Sequence, residues 1–149
     1  MKSINIQNRK ARYEYHLLDS YTAGIQLKGT EIKSIRLGKA SIKEAYCVID
    51  DGEIFIRNMH IAEYENASFY QHSPKRDRKL LLSKKEILKL KKGIEIKGFT
   101  IIPVKVFISK NGYAKVEISL AQGKKLYDKR QDIKEKDDKR TMDRIKKNY

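Results

Sequence analysis

The sequence has few of the features that mark secreted, membrane-spanning or metal-dependent proteins. Cys47 is its only cysteine and cannot form an internal disulfide, which fits a reducing compartment. No run of about 18 apolar residues is present, and residues 1–10 lack the apolar stretch of a signal peptide. C-x-x-C, H-E-x-x-H, G-x-S-x-G and Walker motifs are absent, and the three histidines are widely spaced. We therefore expect a cytoplasmic protein that needs no metal or cofactor and is not an enzyme.

Positive charge, in contrast, is abundant. The 149 residues include 34 Lys and Arg against 19 Asp and Glu, which gives a net charge of +15. Three segments hold the excess: residues 1–12 have four basic and no acidic residues, 75–92 have nine and two, and 123–149 have eleven and six. Because the cations are clustered, we expect basic edges that meet a specific polyanion rather than a uniformly solvated surface.

Alternating apolar residues predict two β-hairpins. Residues 113–120 and 99–108 have an apolar side chain at every second position, and the tight-turn pair Asn111-Gly112 lies between them. Residues 42–49 and 54–61 flank a second turn, Asp50-Asp51-Gly52. Residues 13–18 and 24–27 are weaker candidates, so about six strands are expected in all. The residues expected to share the inward face of the first hairpin are Ile102, Val104, Val106, Ile108, Ala114, Val116, Ile118 and Leu120.

A short helix is predicted close to residue 30. Thr30 is its expected N-cap, Glu31 lies in the first turn, where the helix dipole favours an anion, and Gly38 is the expected stop. The helical spacing directs Ile32 and Ile35 inward and leaves Lys33 and Arg36 outside.

A second helix is predicted to begin at Ser83, which forms a capping-box pattern with Glu86, and to end at Gly93. Many short strands with few helices favour a small barrel over a doubly wound α/β fold. We therefore predict a mainly β protein, an OB-like antiparallel barrel of about six strands with flanking helices, over residues 1–122.

Residues 123–149 are dense in charge and poor in apolar residues, which predicts a basic tail that is disordered when free and helical when bound.

Four short stretches of the sequence occur in the order and spacing of one bacterial family. They are ARYEY at residues 11–15, GTEIKSIR at 29–36, RDRKLLL at 76–82 and GKKLYDKR at 123–130. In these stretches the chain resembles the bacterial tmRNA-binding protein family, small protein B. Since they are spread over most of the chain, the resemblance covers both the predicted barrel and the tail.

The resemblance implies an RNA-binding role without bond chemistry. Members of this family bind the tRNA-like domain of tmRNA and deliver it, with elongation factor Tu, to ribosomes stalled without a stop codon. The implied partners are therefore tmRNA, the decoding-centre RNA of the stalled ribosome and elongation factor Tu. The tail is expected to probe the decoding centre and the empty mRNA channel.

The candidate RNA-binding residues of the barrel are cations and aromatic side chains near the family stretches. Cations neutralise phosphates and release counterions, and tyrosines can stack on unpaired bases. Glu31 belongs to the most distinctive stretch, although a favourable charge at a helix N-terminus would also explain it. The candidates are Arg9, Lys10, Arg12, Tyr13, Tyr15, Glu31, Lys33, Arg36, Arg76, Arg78 and Lys79.

The candidate ribosome-binding residues lie in the tail. Its lysines and arginines can meet phosphates, and Tyr127 offers a ring for stacking. Asp128 stands within a basic run, which favours a specific contact or a helix start over simple phosphate binding. The candidates are Lys124, Lys125, Tyr127, Asp128, Lys129, Arg130, Lys134 and Lys136.

Two other functions are compatible with parts of the pattern. A ribosomal or initiation-factor-like OB protein would bind structured RNA generally, without preference for tmRNA. A small metal-dependent nuclease would use carboxylates such as Asp50, Asp51 and Glu53, but these lie at a predicted turn tip.

Overall fold

Nine strands and three helices occur in the residues that the computed structural model describes, which are 4–67 and 70–124. No helix within these ranges has the length and apolar character needed to cross a membrane. In chain order the elements are β1 (Asn5–Gln7), α1 (Ala11–Glu14), β2 (Tyr15–Ile25), α2 (Gly29–Arg36), β3 (Ala40–Ser41), β4 (Tyr46–Asp50), β5 (Glu53–Arg57), β6 (His60–Ile61), β7 (Arg78–Leu81), α3 (Lys84–Ile94), β8 (Phe99–Ile108) and β9 (Ala114–Gly123).

Six of the strands close into an antiparallel ring. Their order is β8-β4-β5-β7-β2-β9, and β9 pairs with β8 to complete the circle. Strand β1 adds to the outside of β8, and β3 pairs with β6 in a separate two-stranded sheet. The predicted OB-like barrel of about six strands with flanking helices is confirmed.

Both predicted hairpins are present. Gly112, with φ of 85°, turns β8 into β9, and Asp51 and Gly52, with φ of 50° and 75°, turn β4 into β5. Two successive positive φ values match the right-handed twist of the flanking strands. Strand β4 begins at Tyr46, later than predicted, and Ile42 is buried ahead of it.

Strand β8 does not present one continuous apolar face. Its pairing with β9 shifts register between Pro103 and Lys105, where proline has no N–H to give to the ladder. As a result Ile101 and Val106 point into the main core, while Ile102 joins a smaller cluster with Ala11. The prediction that Ile102 and Val106 share a face is therefore wrong. In β9 the alternation holds, and Ala114, Val116, Ile118 and Leu120 all belong to the main core.

The two weaker strand predictions correspond to one long strand, β2. It pairs with β9 along most of its length, with a bulge between Leu17 and Ser20. The hydroxyl of Ser119 lies 3.3 Å from the carbonyl oxygens of Leu18 and Asp19, so a buried polar group lies at the bulge. The strand starts at Tyr15, and Tyr13 lies instead in α1.

Helix α2 begins and ends close to the predicted positions. Its N-cap is Lys28 rather than Thr30, and the Glu31 carboxylate accepts the Lys28 N–H at 2.8 Å. The Thr30 hydroxyl lies 2.8 Å from Nδ1 of His72, a buried side chain in the loop before β7. Gly38 has a φ of 74° and ends the helix as predicted.

Helix α3 confirms its predicted start but not its predicted end. Ser83 Oγ accepts the Glu86 N–H at 3.2 Å, and the Glu86 carboxylate accepts the Ser83 N–H at 3.1 Å. Gly93 lies inside the helix and does not stop it. A Cβ at this position would lie 2.6 Å from Cδ2 of Leu120, so any larger residue would displace Leu120 where α3 packs on β9.

Gly93→Ala should destabilise the protein, because the new methyl group overlaps a core leucine. We expect a loss of about 1–3 kcal/mol in the free energy of unfolding, measured by urea denaturation. Gly29→Ala in α2 is the matched control, since a Cβ there meets nothing within 4 Å. If the two variants have the same free energy of unfolding, Leu120 moves aside without loss of stability.

Candidate RNA-binding surface

A buried carboxylate joins α2 to β7 and the segment before it. The Glu31 side chain is fully buried, and its Oε1 accepts hydrogen bonds from Arg76 Nε at 3.0 Å and Nη2 at 2.5 Å. Its Oε2 accepts a hydrogen bond from Arg78 Nε. Two guanidinium groups and one backbone N–H therefore converge on a single carboxylate.

The second arginine is buried as completely as the acid. Arg78 has no exposed surface, and its remaining N–H groups donate to Met59 O at 2.7 Å, Pro74 O at 3.0 Å and Ser73 O at 3.4 Å. A buried charge is tolerated when it is paired and its donors are satisfied, and both conditions hold here. We call Glu31, Arg76 and Arg78 the carboxylate–arginine cluster.

Burial and pairing act on the pKa of Glu31 in opposite directions. Burial would raise the pKa of this carboxyl, but hydrogen bonds from Arg76, the Lys28 N–H and Arg78 outweigh burial and hold it below its ordinary value. The acid therefore stays ionised at neutral pH. Since two cations surround one anion, a net positive charge remains beneath the first turn of α2.

The structure places several of the predicted RNA-binding candidates in or beside this cluster. Glu31 and Arg78 have no exposed surface, and their side chains hold neighbouring elements together. Arg76 remains 27% exposed while bound to Glu31. Lys79 pairs with Glu53 at 2.8 Å. Sequence reasoning missed the Glu31–Arg76 pairing because the acid lies 45 residues before Arg76 in the chain.

The outer face of α2 carries the cations predicted for it. Lys33 and Arg36 are exposed, and Lys33 Nζ lies 5.4 Å from the centre of the Tyr64 ring. Arg36 Nη2 donates to Gly112 O at 3.4 Å. Tyr64 was not identified from the sequence, where an isolated tyrosine in a polar loop carries no periodic signal. The α2 surface therefore combines positioned cations with an aromatic ring.

A second basic surface surrounds α1. One groove of about 460 Å³ is lined by Arg9, Arg12, Tyr13 and Lys105. An adjoining groove is lined by Lys10 and Lys43. Arg12 and Tyr13 lie on α1, whereas residues 13–18 were predicted as part of a strand. We call this group the α1 surface.

The α1 surface is anchored at both ends. Asn8, just before the helix, donates from its side chain to Pro103 O at 3.1 Å and Ile42 O at 3.4 Å. Ala11 is buried, and Tyr15 packs against the same small cluster. The backbone N–H of Lys124 donates to Glu14 O at 2.9 Å, so the end of β9 returns to α1. A groove shared by Arg12, Tyr15 and Lys124 lies there.

The remaining tail candidates lie outside the described residues. These are Lys125, Tyr127, Asp128, Lys129, Arg130, Lys134 and Lys136. Strand β9 extends to Gly123, one residue beyond the predicted end of the barrel.

The carboxylates considered for a nuclease lie in and beside the β4–β5 turn. Asp51 occupies a positive-φ turn position, and Glu53 is engaged by Lys79. Within residues 4–67 and 70–124, no three or more His, Cys, Asp and Glu side chains are grouped so that they could hold a metal ion.

A closed small barrel with two anchored basic surfaces defines the class of OB-type RNA-binding proteins. Comparison with known proteins is more specific, since residues 5–148 match the family described as SmpB protein. The chain therefore belongs to the SmpB protein family.

Individual relatives agree with this assignment along nearly the whole chain. The SsrA-binding protein of Cytophaga hutchinsonii is 56% identical over 146 residues, covering 98% of this chain and 95% of the relative. That of Christiangramia forsetii is 54% identical over 147 residues, covering 99% and 94%. A chain from the solved structure "tmRNA-SmpB: a journey to the center of the bacterial ribosome" aligns with a TM-score of 0.70 and 45% identity, covering 83% of this chain and 86% of that chain.

Glu31→Gln should destabilise the protein strongly while preserving side-chain volume. The variant leaves the buried Arg78 charge without its anion, and breaking a buried pair in this way costs about 3–5 kcal/mol. Urea denaturation measures the loss. Glu53→Gln removes an exposed pair with Lys79 and should cost less than about 1 kcal/mol. A Glu31→Gln variant as stable as Glu53→Gln would contradict the structural role of the cluster.

The contribution of Glu31 should also depend on pH. Because its folded-state pKa lies below the ordinary value, its stabilisation is complete above the unfolded-state pKa of about 4.3 and is lost as pH falls through the folded-state pKa. The difference in unfolding free energy between wild type and Glu31→Gln should therefore be constant near neutral pH and shrink in acid. The free-energy difference is then measured about one pH unit below the unfolded-state pKa and at still lower pH. If it equals the difference at neutral pH, the folded-state pKa of Glu31 is not depressed.

Proposed function

We propose that this protein binds the tRNA-like domain of tmRNA and delivers it, with elongation factor Tu, to ribosomes stalled without a stop codon. The observation that carries the proposal is the family match over residues 5–148, with close relatives described as SsrA-binding proteins. SsrA RNA is tmRNA. The protein acts in the cytoplasm, makes or breaks no bond and contributes only binding.

Two anchored surfaces support this binding role. On the α1 surface, Arg9 and Lys10 are exposed just before the short helix and Arg12 is exposed on it, and this segment is fixed by Asn8 and Ala11. On α2, Lys33 and Arg36 are exposed on a helix fixed from below by the carboxylate–arginine cluster. Folded RNA is recognised by its shape and its phosphate positions, and recognition of this kind needs cations held at fixed separations.

The barrel and the tail have separate roles in this proposal. The barrel binds the tRNA-like domain, and residues 125–149 enter the decoding centre and the empty mRNA channel. The charge of the tail supports this division. So does the position at which the tail starts, because β9 ends beside α1 and the chain continues from the α1 surface. Tail cations such as Lys134 and Lys136 would then hold channel RNA without sequence preference.

Charge reversal tests which surfaces meet the RNA. Arg12→Glu and Lys33→Glu should each weaken binding of the tRNA-like domain and reduce the slope of log K against log salt by about one for each phosphate that the variant no longer neutralises. Binding is measured by titration at several salt concentrations.

Lys89→Glu is the control, because it makes the same change as Lys33→Glu at a lysine of α3 that lines none of the grooves of the two surfaces. The control should alter the slope less than either test variant. Slopes equal to wild type for both Arg12→Glu and Lys33→Glu would mean that RNA binds elsewhere on the barrel.

A further inference from the structure

A groove beside the start of α2 combines two tyrosines with two lysines. Its volume is about 580 Å³, and Lys28 and Lys33 lie on the helix side while Tyr64 and Tyr70 lie on the loop side. Tyr70 is 88% exposed, and the Tyr64 ring lies beneath Lys33 Nζ. Neither tyrosine belongs to the family stretches found in the sequence.

The loop side of the groove is held in place by hydrogen bonds. The side chain of Gln71 accepts the Tyr64 N–H at 3.1 Å and donates to the Tyr64 carbonyl at 2.9 Å. Together the two bonds satisfy both backbone polar groups of Tyr64 and join the two ends of the loop. On the opposite side, Thr30 is fixed by buried His72. Thr30 and Tyr64 are therefore held in position before any ligand arrives, which lowers the entropy cost of binding at these residues.

The charge of the groove selects an anion. None of the described residues that line it is acidic. Of the nearby acids, Glu31 binds the two arginines of the carboxylate–arginine cluster and Glu65 lies 3.7 Å from Lys39. Glu63 is exposed next to Tyr64 but is not among the residues that line the groove. An aromatic ring beside an ammonium group matches a nucleotide, which offers a flat base and a phosphate at a short fixed distance.

We propose that this groove binds one unpaired nucleotide of the RNA, with its base stacked on Tyr64 or Tyr70 and its phosphate held by Lys33 and Lys28. The proposal rests on the RNA-binding function above and adds a requirement, since a base held in a duplex cannot enter the groove. The groove therefore selects a nucleotide that is looped out or single-stranded, whereas the cations of the α1 surface contact the phosphate backbone.

The absence of tryptophan from the sequence permits a direct test. Tyr70→Trp places a single indole in the groove at an exposed position where the fold does not depend on the side chain. The full chain is titrated with a short oligoadenylate and, separately, with the same strand annealed to oligouridylate. We expect the single strand to quench the indole emission and the duplex to leave it unchanged. Leu88→Trp on α3 is the control for non-specific quenching.

A second pair of variants tests the energetic contribution. Alanine at both Tyr64 and Tyr70 should weaken binding of the oligoadenylate about five-fold or more, and phenylalanine at both should restore it, because stacking needs only the ring. Binding of the tRNA-like domain of tmRNA to the wild-type protein is measured in parallel. Equal quenching by single strand and duplex, or an alanine variant that binds oligoadenylate normally, would overturn the groove proposal. If the wild-type protein itself fails to bind the tRNA-like domain, the proposed function fails instead.

Discussion

The structure depends on one buried anion. The Glu31 carboxylate is the point at which α2, β7 and the segment containing Arg76 meet. Among the described residues it is the only carboxylate that forms an ion pair with Arg76 or Arg78. Without that anion, Arg78 would be an isolated charge inside the protein, which is among the most costly arrangements in a fold. The same contact fixes α2 against the barrel and so determines where Lys33 and Arg36 stand. Glu31 is itself fully buried, but it thereby determines the positions of the exposed cations on α2.

The two basic surfaces use different supports for the same purpose. Helix α2 is held by charge, through the carboxylate–arginine cluster, whereas α1 is held by packing of Ala11 and by the amide of Asn8. Mobile lysines can neutralise any polyanion, but cations on fixed helices match only an RNA whose phosphates have the corresponding spacing. In the proposed function, this difference separates recognition of one folded RNA from general attraction to nucleic acid.

Local signals in the sequence predicted the barrel well and the site only in part. The turn at Asp51-Gly52, the positive φ of Gly112 and the cap at Ser83 depend on neighbouring residues, so they could be predicted directly and are confirmed. Asn111 does not have the positive φ expected of the first residue of its turn pair. The bulge in β8 has a local signal in Pro103, which the alternation of apolar residues concealed. The packing role of Gly93 depends on β9, which lies elsewhere in the chain, and leaves no local trace. The pairing of Glu31 with Arg76 and Arg78 was invisible for the same reason. A carboxylate in a helix's first turn looks like a favourable charge whether it is exposed or buried.

The central claim is that these anchored surfaces select the tRNA-like domain of tmRNA. The most direct measurement is a competition titration of the full chain at physiological salt, with that domain against an ordinary elongator tRNA of similar size. We expect preference for the tRNA-like domain by several orders of magnitude. Equal binding of the two RNAs would contradict it and would identify the barrel as a general clamp for structured RNA.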